Sequence, residues 1–193
     1  GAITGTKGRA VWDYIGLMSA REAVSFTKYP HLTLGIHDDR LVATLTVPNS
    51  VPPARRRRLL GDGFEAFKTR IGPVVEGIAG VSQKAPGIRP VIIVVQRHYR
   101  SQRSEPVRDA MLHFDPRTAI PVKRGEDSAV KRQPEWLELA YRAVADRRSN
   151  MQFQVGAEFT YAACDRVRSA GIADAVAAVW LACAPLLVEL SLE

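Results

Sequence analysis

The sequence predicts an α+β protein with a mainly antiparallel sheet and helices mostly on one face. Short segments with alternating apolar residues are typical of strands, and longer segments with apolar residues three and four positions apart are typical of helices. The chain of 193 residues is long enough to enclose a substantial core. We therefore treat residues 1–193 as a single domain, with a flexible segment over residues 1–10 and a long loop over 115–133.

The segment 29–47 predicts a β-hairpin with a two-residue turn at Asp38–Asp39. This turn pairs residue 36 with 41, 34 with 43 and 32 with 45, and it brings the apolar residues of both strands to one face. A slip of one residue would move them to opposite faces. The same pairing fills the other face of the hairpin with one histidine and three threonines, which are His31, Thr33, Thr44 and Thr46.

The remaining patterns predict the other elements in order. They are mixed helical character over 11–23, a helix over 54–78 interrupted near Gly72–Pro73, strands over 91–99 and 107–114, a helix over 135–148, a strand over 151–161, and a helix from 165 interrupted at Gly171 and Pro185. In the strand over 151–161, Gln152, Gln154, Glu158 and Thr160 are expected to face outward. The order of elements also suggests a pseudo-duplication of a ββαβ unit.

Composition and charge narrow the class of protein. The hydrophobic content of 46% and the charged content of 24% are typical of globular domains. The formal charge of +7 favours solubility and attracts polyanions without specifying a partner. No charged leader precedes an apolar run at the N-terminus, and the apolar run 175–188 is shorter than the roughly 20 residues that span a bilayer. We expect a cytoplasmic protein with no membrane partner, in which 175–188 is a core helix and Cys164 and Cys183 are free buried thiols.

The pattern His31-Leu32-Thr33 is the clearest chemical feature. An imidazole and a hydroxyl two residues apart on a strand project side by side, so together they can hold a phosphate and supply a general base. This element is similar to one half of the motif of the two-histidine phosphoesterases, which use two such motifs. The resemblance implies hydrolysis or transfer at a phosphoester, with His31 as general base and Thr33 orienting the phosphate. This catalytic interpretation requires a second histidine nearby, either His98 or His113. The alternative is that His31 and Thr33 face solvent.

A second resemblance covers residues 28–78. The step Lys28-Tyr29-Pro30-His31, followed by the hairpin and an amphipathic helix, resembles the corresponding stretch of the YktB-like proteins. These are small bacterial α+β proteins without an established activity. The resemblance supports the fold and a bacterial-type protein, and it implies no function.

Two basic groups are further candidates. The first group lies on the two strands of a presumed hairpin and can form an anion pocket with a titrating base. One strand carries His98 and Arg100, with Arg97 and Arg103 nearby, and the other carries Arg108, Asp109 and His113. The run Arg55–Arg58 can contact phosphates, but four consecutive helical residues sweep the whole circumference, so a solvated helix start is the favoured interpretation. Nucleic acid is therefore not the favoured partner. No ligand spacing indicates a metal, and no motif indicates a cofactor.

The sequence leaves the function open between three classes. The first is a module that binds an anionic small molecule or an acidic partner without catalysis, with Thr44, Thr46, His98, Arg100 and His113 as the ligand contacts. The alternative is a phosphoesterase-like enzyme that uses His31 and Thr33. A protein of the third class, built for interaction or oligomerisation, would show a large apolar surface left exposed by the segment 175–190. The patterns do not decide the oligomeric state.

Overall fold

A computed structural model describes residues 4–5, 11–16, 26–98, 107–117 and 136–192; for 4–5, 11–16, Phe26 and His98 it describes the backbone alone. Most of the predicted flexible segment 1–10, most of the loop 115–133, and Arg100 lie outside the described residues. The elements are β1 (Thr4–Gly5), β2 (Val11–Gly16), β3 (His31–Ile36), β4 (Arg40–Val47), α1 (Pro53–Leu60), α2 (Phe64–Gln83), β5 (Ile88–His98), β6 (Val107–Phe114), α3 (Trp136–Ala145), β7 (Gln152–Thr160) and α4 (Gly171–Ser191).

The strands form one antiparallel sheet in the order β1-β2-β3-β4-β7-β5-β6. The predicted α+β fold class is confirmed. The mixed helical character predicted over 11–23 is wrong for residues 11–16, which form β2 and pair with β3. Strand β7 is the last strand of the chain, yet it lies between β4 and β5, so its residues occupy the middle of the sheet. The helix arrangement on one face and the pseudo-duplication stay predictions.

The hairpin has the predicted register. Ile36 pairs with Leu41, and the pairing continues so that Thr33 lies opposite Thr44 and His31 opposite Thr46. The backbone N–H of His37 donates to the carbonyl of Arg40 at 2.9 Å, which closes the two-residue turn. One loop length therefore sets the face of every side chain in both strands.

The apolar residues of the sheet share one hydrophobic core with residues of the helices. Phe153, Val155, Ala157 and Phe159 of β7 are fully buried, as the alternation predicted. They share the core with Ala43, Leu45 and Val47 of β4 and with Phe67, Ile71, Ile78, Ala140, Val179, Cys183 and Leu190 of the helices. Phe67 and Phe153 meet edge to face, with ring centroids 5.6 Å apart and planes at 74°. Burial of these side chains is the main source of stability.

The helix boundaries differ from the prediction because glycine and not proline breaks the first helical segment. Gly61 and Gly63 have φ of 61° and 131°, values that favour glycine, and they separate α1 from α2. Pro73 and Pro185 lie inside continuous helices, on exposed positions. A proline removes one helical N–H, and at these positions water can reach the affected turn.

Because Pro185 does not end it, α4 is longer than the predicted apolar run. It has 21 residues and a mean hydropathy of 2.0, and among the described helices it alone is long and apolar enough to cross a membrane. A core helix of a soluble protein meets the same criterion. Cys164 and Cys183 are free and buried, as predicted. Burial raises the pKa of the Cys183 thiol to about 12, which leaves it unreactive.

Candidate functional site

One face of the sheet carries polar side chains from five neighbouring strands. The register aligns His31 with Thr46, Thr46 with Gln154, Gln154 with Ile93, and Ile93 with His113. Because alternate residues of a strand share a face, the side chains on this face can be assigned from these pairs. We call it the polar face, and it contains His31, Thr33, Arg40, Thr44, Thr46, Arg89, His113, Gln154 and Glu158.

The alternative in which His31 and Thr33 face solvent is wrong, and the outward-facing Gln154 and Glu158 are not exposed. His31, Thr33, Gln154 and Glu158 are all buried, although the sequence predicted solvent-facing or outward positions for them. Alternation separates the two faces of a strand, but it does not show what covers each face. Buried polar groups need partners, so the contacts of these side chains decide what they can do.

The threonines satisfy one another. The hydroxyls of Thr33 and Thr46 are 2.8 Å apart, and those of Thr44 and Thr46 are 3.4 Å apart. Gln154 Nε2 donates to Thr46 Oγ1 at 3.0 Å, and Arg97 donates to Gln154 Oε1 at 3.4 Å. The structure therefore brings the three threonines together as predicted. Their hydroxyls are used in a structural network and have little capacity left for a ligand.

His31 is bound to the backbone of its own segment. Its Nδ1 lies 2.8 Å from the carbonyl oxygen of Tyr29. Three strands separate its strand β3 from β6, so His113 lies four strand spacings away, about 19 Å measured along the sheet. His98 is on β5, three strand spacings from β3, or about 14 Å. Neither histidine is therefore the second one that the two-histidine motif requires beside His31, and a phosphoesterase function stays a prediction that rests on His31 and Thr33 alone.

The predicted grouping of His98 with His113 does not form. His98 pairs with Val107, whereas His113 pairs with Ile93 on the same two strands. Five residues along β5 separate the two positions, which is about 17 Å of extended chain. Of the predicted ligand contacts, His113 alone lies in the charged cluster described next.

The charged cluster surrounds one buried carboxylate. Glu158 is 4% exposed. Its Oε1 is 2.8 Å from His113 Nε2 and 3.0 Å from Arg40 Nε, and its Oε2 is 3.6 Å from an Arg89 nitrogen. Arg40 also contacts Asp39 at 2.7 Å on the solvent side. We define the charged cluster as Arg40, Arg89, His113 and Glu158.

The cations around Glu158 keep it ionised. Burial on its own would raise the pKa of Glu158, but the contact with His113 and the charges of Arg40 and Arg89 outweigh burial and lower it. The hydrogen bonds of the cluster are nevertheless incomplete. Glu158 Oε1 and Arg40 Nε are 3.0 Å apart, but neither atom has a partner in a direction that allows a hydrogen bond. Ionic contacts at 2.8–3.6 Å, and not well-directed hydrogen bonds, therefore hold the carboxylate.

A cleft opens beside the charged cluster, where β6 ends and β5 begins. Its volume is about 340 Å³, and it is lined by Arg89, Pro90, Val91, His113, Phe114, Asp115 and Glu158. This volume is at the lower end of the range for small-molecule pockets, roughly 300–1,000 Å³. Asp115 is neutralised by Arg117 at 2.7 Å, and the ring of Phe114 is stacked on Trp136 with centroids 6.0 Å apart. The rim is therefore held in place by side chains from two elements.

The geometry assigns different tasks to the two nitrogens of His113. The Nε2 atom lies 2.8 Å from Glu158 Oε1 and faces the carboxylate. Nδ1 is then the ring nitrogen left to contact a ligand. The Arg89 side chain is 63% exposed and can turn its guanidinium toward the cleft. No three His, Cys, Asp or Glu residues of the described chain converge to hold a metal.

The run Arg55–Arg58 is partly structural. The guanidinium of Arg55 lies 4.4 Å from the centroid of the Tyr29 ring. Arg56 donates to the carbonyls of Asn49 at 2.7 Å and Val144 at 3.1 Å. These two side chains attach α1 to neighbouring segments and are not a free phosphate-binding surface.

Sequence reasoning missed Glu158, Arg40 and Arg89. A weak signal was present, because Glu158 is the one charged residue among the outward positions of the strand between Met151 and Tyr161. Because it occupies an outward-facing position of the strand, the alternation predicts an exposed residue there. Arg40 and Arg89 stand at strand starts, where charged residues are ordinary.

Comparison with protein-family models, with curated protein sequences and with solved structures gives no match. The fold and the site define an α+β protein with a buried polar sheet face and a charged cluster at its end. What the protein does must therefore be argued from the chemistry of that cluster.

The burial of His31 makes stability depend on pH. Burial lowers the pKa of His31 below its usual 6.5, with a smaller opposing effect of the bond to Tyr29. The unfolded chain therefore takes up a proton below pH 6.5 when the folded protein does not, and stability falls as the pH drops from 6.5 toward the folded pKa. We expect one such residue to contribute a slope of up to about 1.4 kcal/mol per pH unit.

Urea unfolding of the wild type and of His31→Asn between pH 7.5 and 5 measures this slope. Asn can still donate to the Tyr29 carbonyl but does not titrate. The stability of the variant should fall less steeply as the pH drops. The decline that remains is due to His37, because burial and the charge of Arg40 also lower the pKa of that residue. An unchanged slope would show that His31 is protonated equally in both states.

Proposed function

We propose that this protein binds a small anionic ligand in the cleft beside the charged cluster. The observation that supports the proposal is the buried carboxylate of Glu158, held at 2.8 Å from His113 and 3.6 Å from Arg89 at the floor of that cleft. The carboxylate holds two cationic or cation-forming groups at a fixed place. Fixed donors at a pocket wall are what recognition of an anion requires.

The energetic cost of the cluster supports a functional role. Replacing buried ion pairs by well-packed apolar residues is often neutral or stabilising, so a buried charge is weak evidence for a stabilising role. Here the carboxylate lies on an interior strand, with Oε1 lacking a well-directed hydrogen bond. Clusters of perturbed titratable groups in a cleft are more frequent at functional sites than elsewhere.

The chemistry of the lining indicates the ligand class. A planar guanidinium such as that of Arg89 fits the two oxygens of a carboxylate or phosphate. Pro90, Val91 and Phe114 supply apolar wall for the non-ionic part of the ligand. The volume of about 340 Å³ suits a small molecule and is too small for an extended acidic chain. A compact phosphate or carboxylate compound is therefore the favoured ligand.

Inorganic phosphate is the simplest probe of this proposal. We expect phosphate to raise the melting temperature at constant ionic strength, because a ligand that binds the folded state alone stabilises it by mass action. Arg89→Ala should weaken phosphate binding about tenfold, the effect of losing roughly 1.4 kcal/mol of charge-assisted hydrogen bonding. Amide chemical shifts at His113 and Glu158 during the titration locate the binding.

Arg142→Ala is the matched control. Arg142 is 65% exposed and paired with Glu138, much as Arg89 is 63% exposed and near Glu158, but it lies on α3 away from the cleft. The control should bind phosphate like the wild type. Equal stabilisation by chloride, or equal binding by Arg89→Ala, would contradict the proposal.

The phosphoesterase-like function is the second candidate. The contact between His113 and Glu158 favours it in a modified form, because a carboxylate that orients an imidazole is the arrangement of an acid–base pair. Release of phosphate from a phosphomonoester by the wild type would support catalysis. Loss of that release in His31→Asn would assign it to His31 and Thr33, as the resemblance implies, and loss in His113→Gln alone would assign it to the charged cluster.

A further inference from the structure

We infer that the outer face formed by α2 and α4 pairs with the same face of a second copy of this chain. The first observation is a set of exposed apolar side chains on α4 and directly after it. Leu181 is 72% exposed and Val188 49%, and Leu192, which follows the end of the helix, is 60% exposed. The spacing of seven residues places Leu181 and Val188 on one side of the helix. Exposed leucine and valine on one side of a helix mark a contact surface more often than isolated ones do.

A groove lies beside these side chains, between α2 and α4. Its volume is about 660 Å³. Its lining combines apolar residues, among them Pro73, Val74, Ala182, Pro185 and Leu186, with the polar residues Glu65, Thr69, Arg70 and Glu189. The two helices approach closely, since a Cβ on Gly77 would lie 3.0 Å from that of Ala182. The exposed residue Leu181 precedes Ala182 and stands one helical turn from Pro185, so a projecting side chain and a recess are adjacent on one face.

A projection next to a recess suits twofold symmetry. When two copies meet face to face about a twofold axis, every contact occurs twice. A residue of the first copy that touches a given site on the second is matched by the same residue of the second copy touching that site on the first. With the axis near Leu181, that side chain of each copy enters the groove of its partner. Both copies then bury the residue that the monomer leaves most exposed among its described large apolar side chains.

The charges of the face permit this arrangement. The charged residues of α4 are Asp174 and Glu189, so the stretch 175–188 carries no charge. Glu189 is neutralised within its own chain by Arg70 at 2.7 Å. Helix α2 adds Glu65, Lys68, Arg70 and Glu76, which are two residues of each sign. The face therefore has no block of like charge around Leu181, although the chain as a whole has a charge of +7.

The face is large enough for a specific dimer. Helices of 20 and 21 residues are each about 30 Å long. Side by side they cover roughly 20 Å in width, or about 600 Å² per copy and about 1,200 Å² in total. Specific interfaces begin near this total, so the expected dimer is of modest affinity.

Sedimentation equilibrium tests the inference with the full chain. We expect the wild type to associate from 21.2 kDa to twice that mass in the micromolar range. Leu181→Glu should raise the dimer Kd at least about 100-fold, because symmetry removes a buried leucine from both copies. Met111→Glu is the matched control, since Met111 is exposed on β6 and the same change there should leave the Kd unaltered. Circular dichroism checks that both variants are folded.

Oxidative cross-linking locates the axis. Leu181→Cys should form an intermolecular disulfide, whereas Met111→Cys should not, and the buried Cys164 and Cys183 give no background. A wild type that stays monomeric at 100 µM or above would overturn the inference, since about 1,200 Å² should suffice below that concentration. Dimers unaffected by Leu181→Glu would also overturn it. So would binding to neutral phosphatidylcholine vesicles that Leu181→Glu abolishes, because the occupant would then be lipid.

Discussion

Glu158→Gln is expected to lower the free energy of unfolding by about 3 kcal/mol at pH 7, the lower end of the range for breaking a buried ion pair. The substitution keeps the shape of the side chain and removes the charge that faces His113 and Arg40. The cost stays at the lower end because the side chains of His113 and Arg40 are each 27% exposed, and water can partly solvate them. Urea denaturation of the two proteins measures the difference.

The same carboxylate-to-amide change at Asp115 is the control. Asp115 pairs with the 43%-exposed side chain of Arg117, and Asp115→Asn should therefore cost roughly 0.5 kcal/mol. The pH dependence gives a second check. Because the cations lower the pKa of Glu158 below its usual 4.5, its contribution is complete above pH 4.5 and is lost as the pH falls through the folded pKa. The gap between wild type and Glu158→Gln should close in acid, and a constant gap would show that the charge is not the cause.

This effect on stability and the proposed binding role have the same origin. Glu158 holds Arg40 and His113 on the polar face, where the ladder of threonines and Gln154 provides a rigid floor. A ligand anion that contacts Arg89 and His113 would share these cations with the carboxylate. The protein can thus keep positive charge at the cleft without a free buried cation.

Much of the fold could be predicted from local pattern. The hairpin register followed from one turn length, because a wrong register would have placed Leu34 and Ala43 on opposite faces. The core residues of β7 followed from strict alternation in the same way. These predictions were accurate because each depends on contacts between residues close in sequence or on a single alternating pattern.

The site could not be predicted, because it depends on strand order. Insertion of β7 between β4 and β5 brings Glu158 beside Val42 and Arg89, residues far from it in the chain. No local pattern encodes this neighbourhood. The prediction grouped His113 with His98 across a presumed hairpin of unknown register, and the register places them near opposite ends of the β5–β6 pair. His31 and Thr33 were placed on the correct face, but their burial depends on what covers that face.

Gly156→Ala is expected to be the most damaging single substitution of those considered, with a loss of stability of about 3 kcal/mol or more. Gly156 pairs with Thr44 on β4 and Val91 on β5, in the middle of the sheet. A Cβ there would press on the carbonyl oxygen of Ala43 and lie 2.6 Å from the Cα of Thr44. These are backbone atoms of a paired strand, so the strand itself must move. Thermal and urea unfolding measure the loss.

The displacement should also reach the candidate site. Glu158 lies two residues beyond Gly156 on the same face, and its contact with His113 spans three strands. Gly156→Ala should therefore weaken phosphate binding even at temperatures where the variant is folded. Gly80→Ala is the control, because a Cβ on Gly80 in α2 meets nothing within 4 Å and should stabilise the helix by about 0.5–1 kcal/mol. A Gly156→Ala protein as stable as the wild type would mean that β4 and β7 do not approach as closely as described, and the alignment of Glu158 with the cleft would then lose its structural basis.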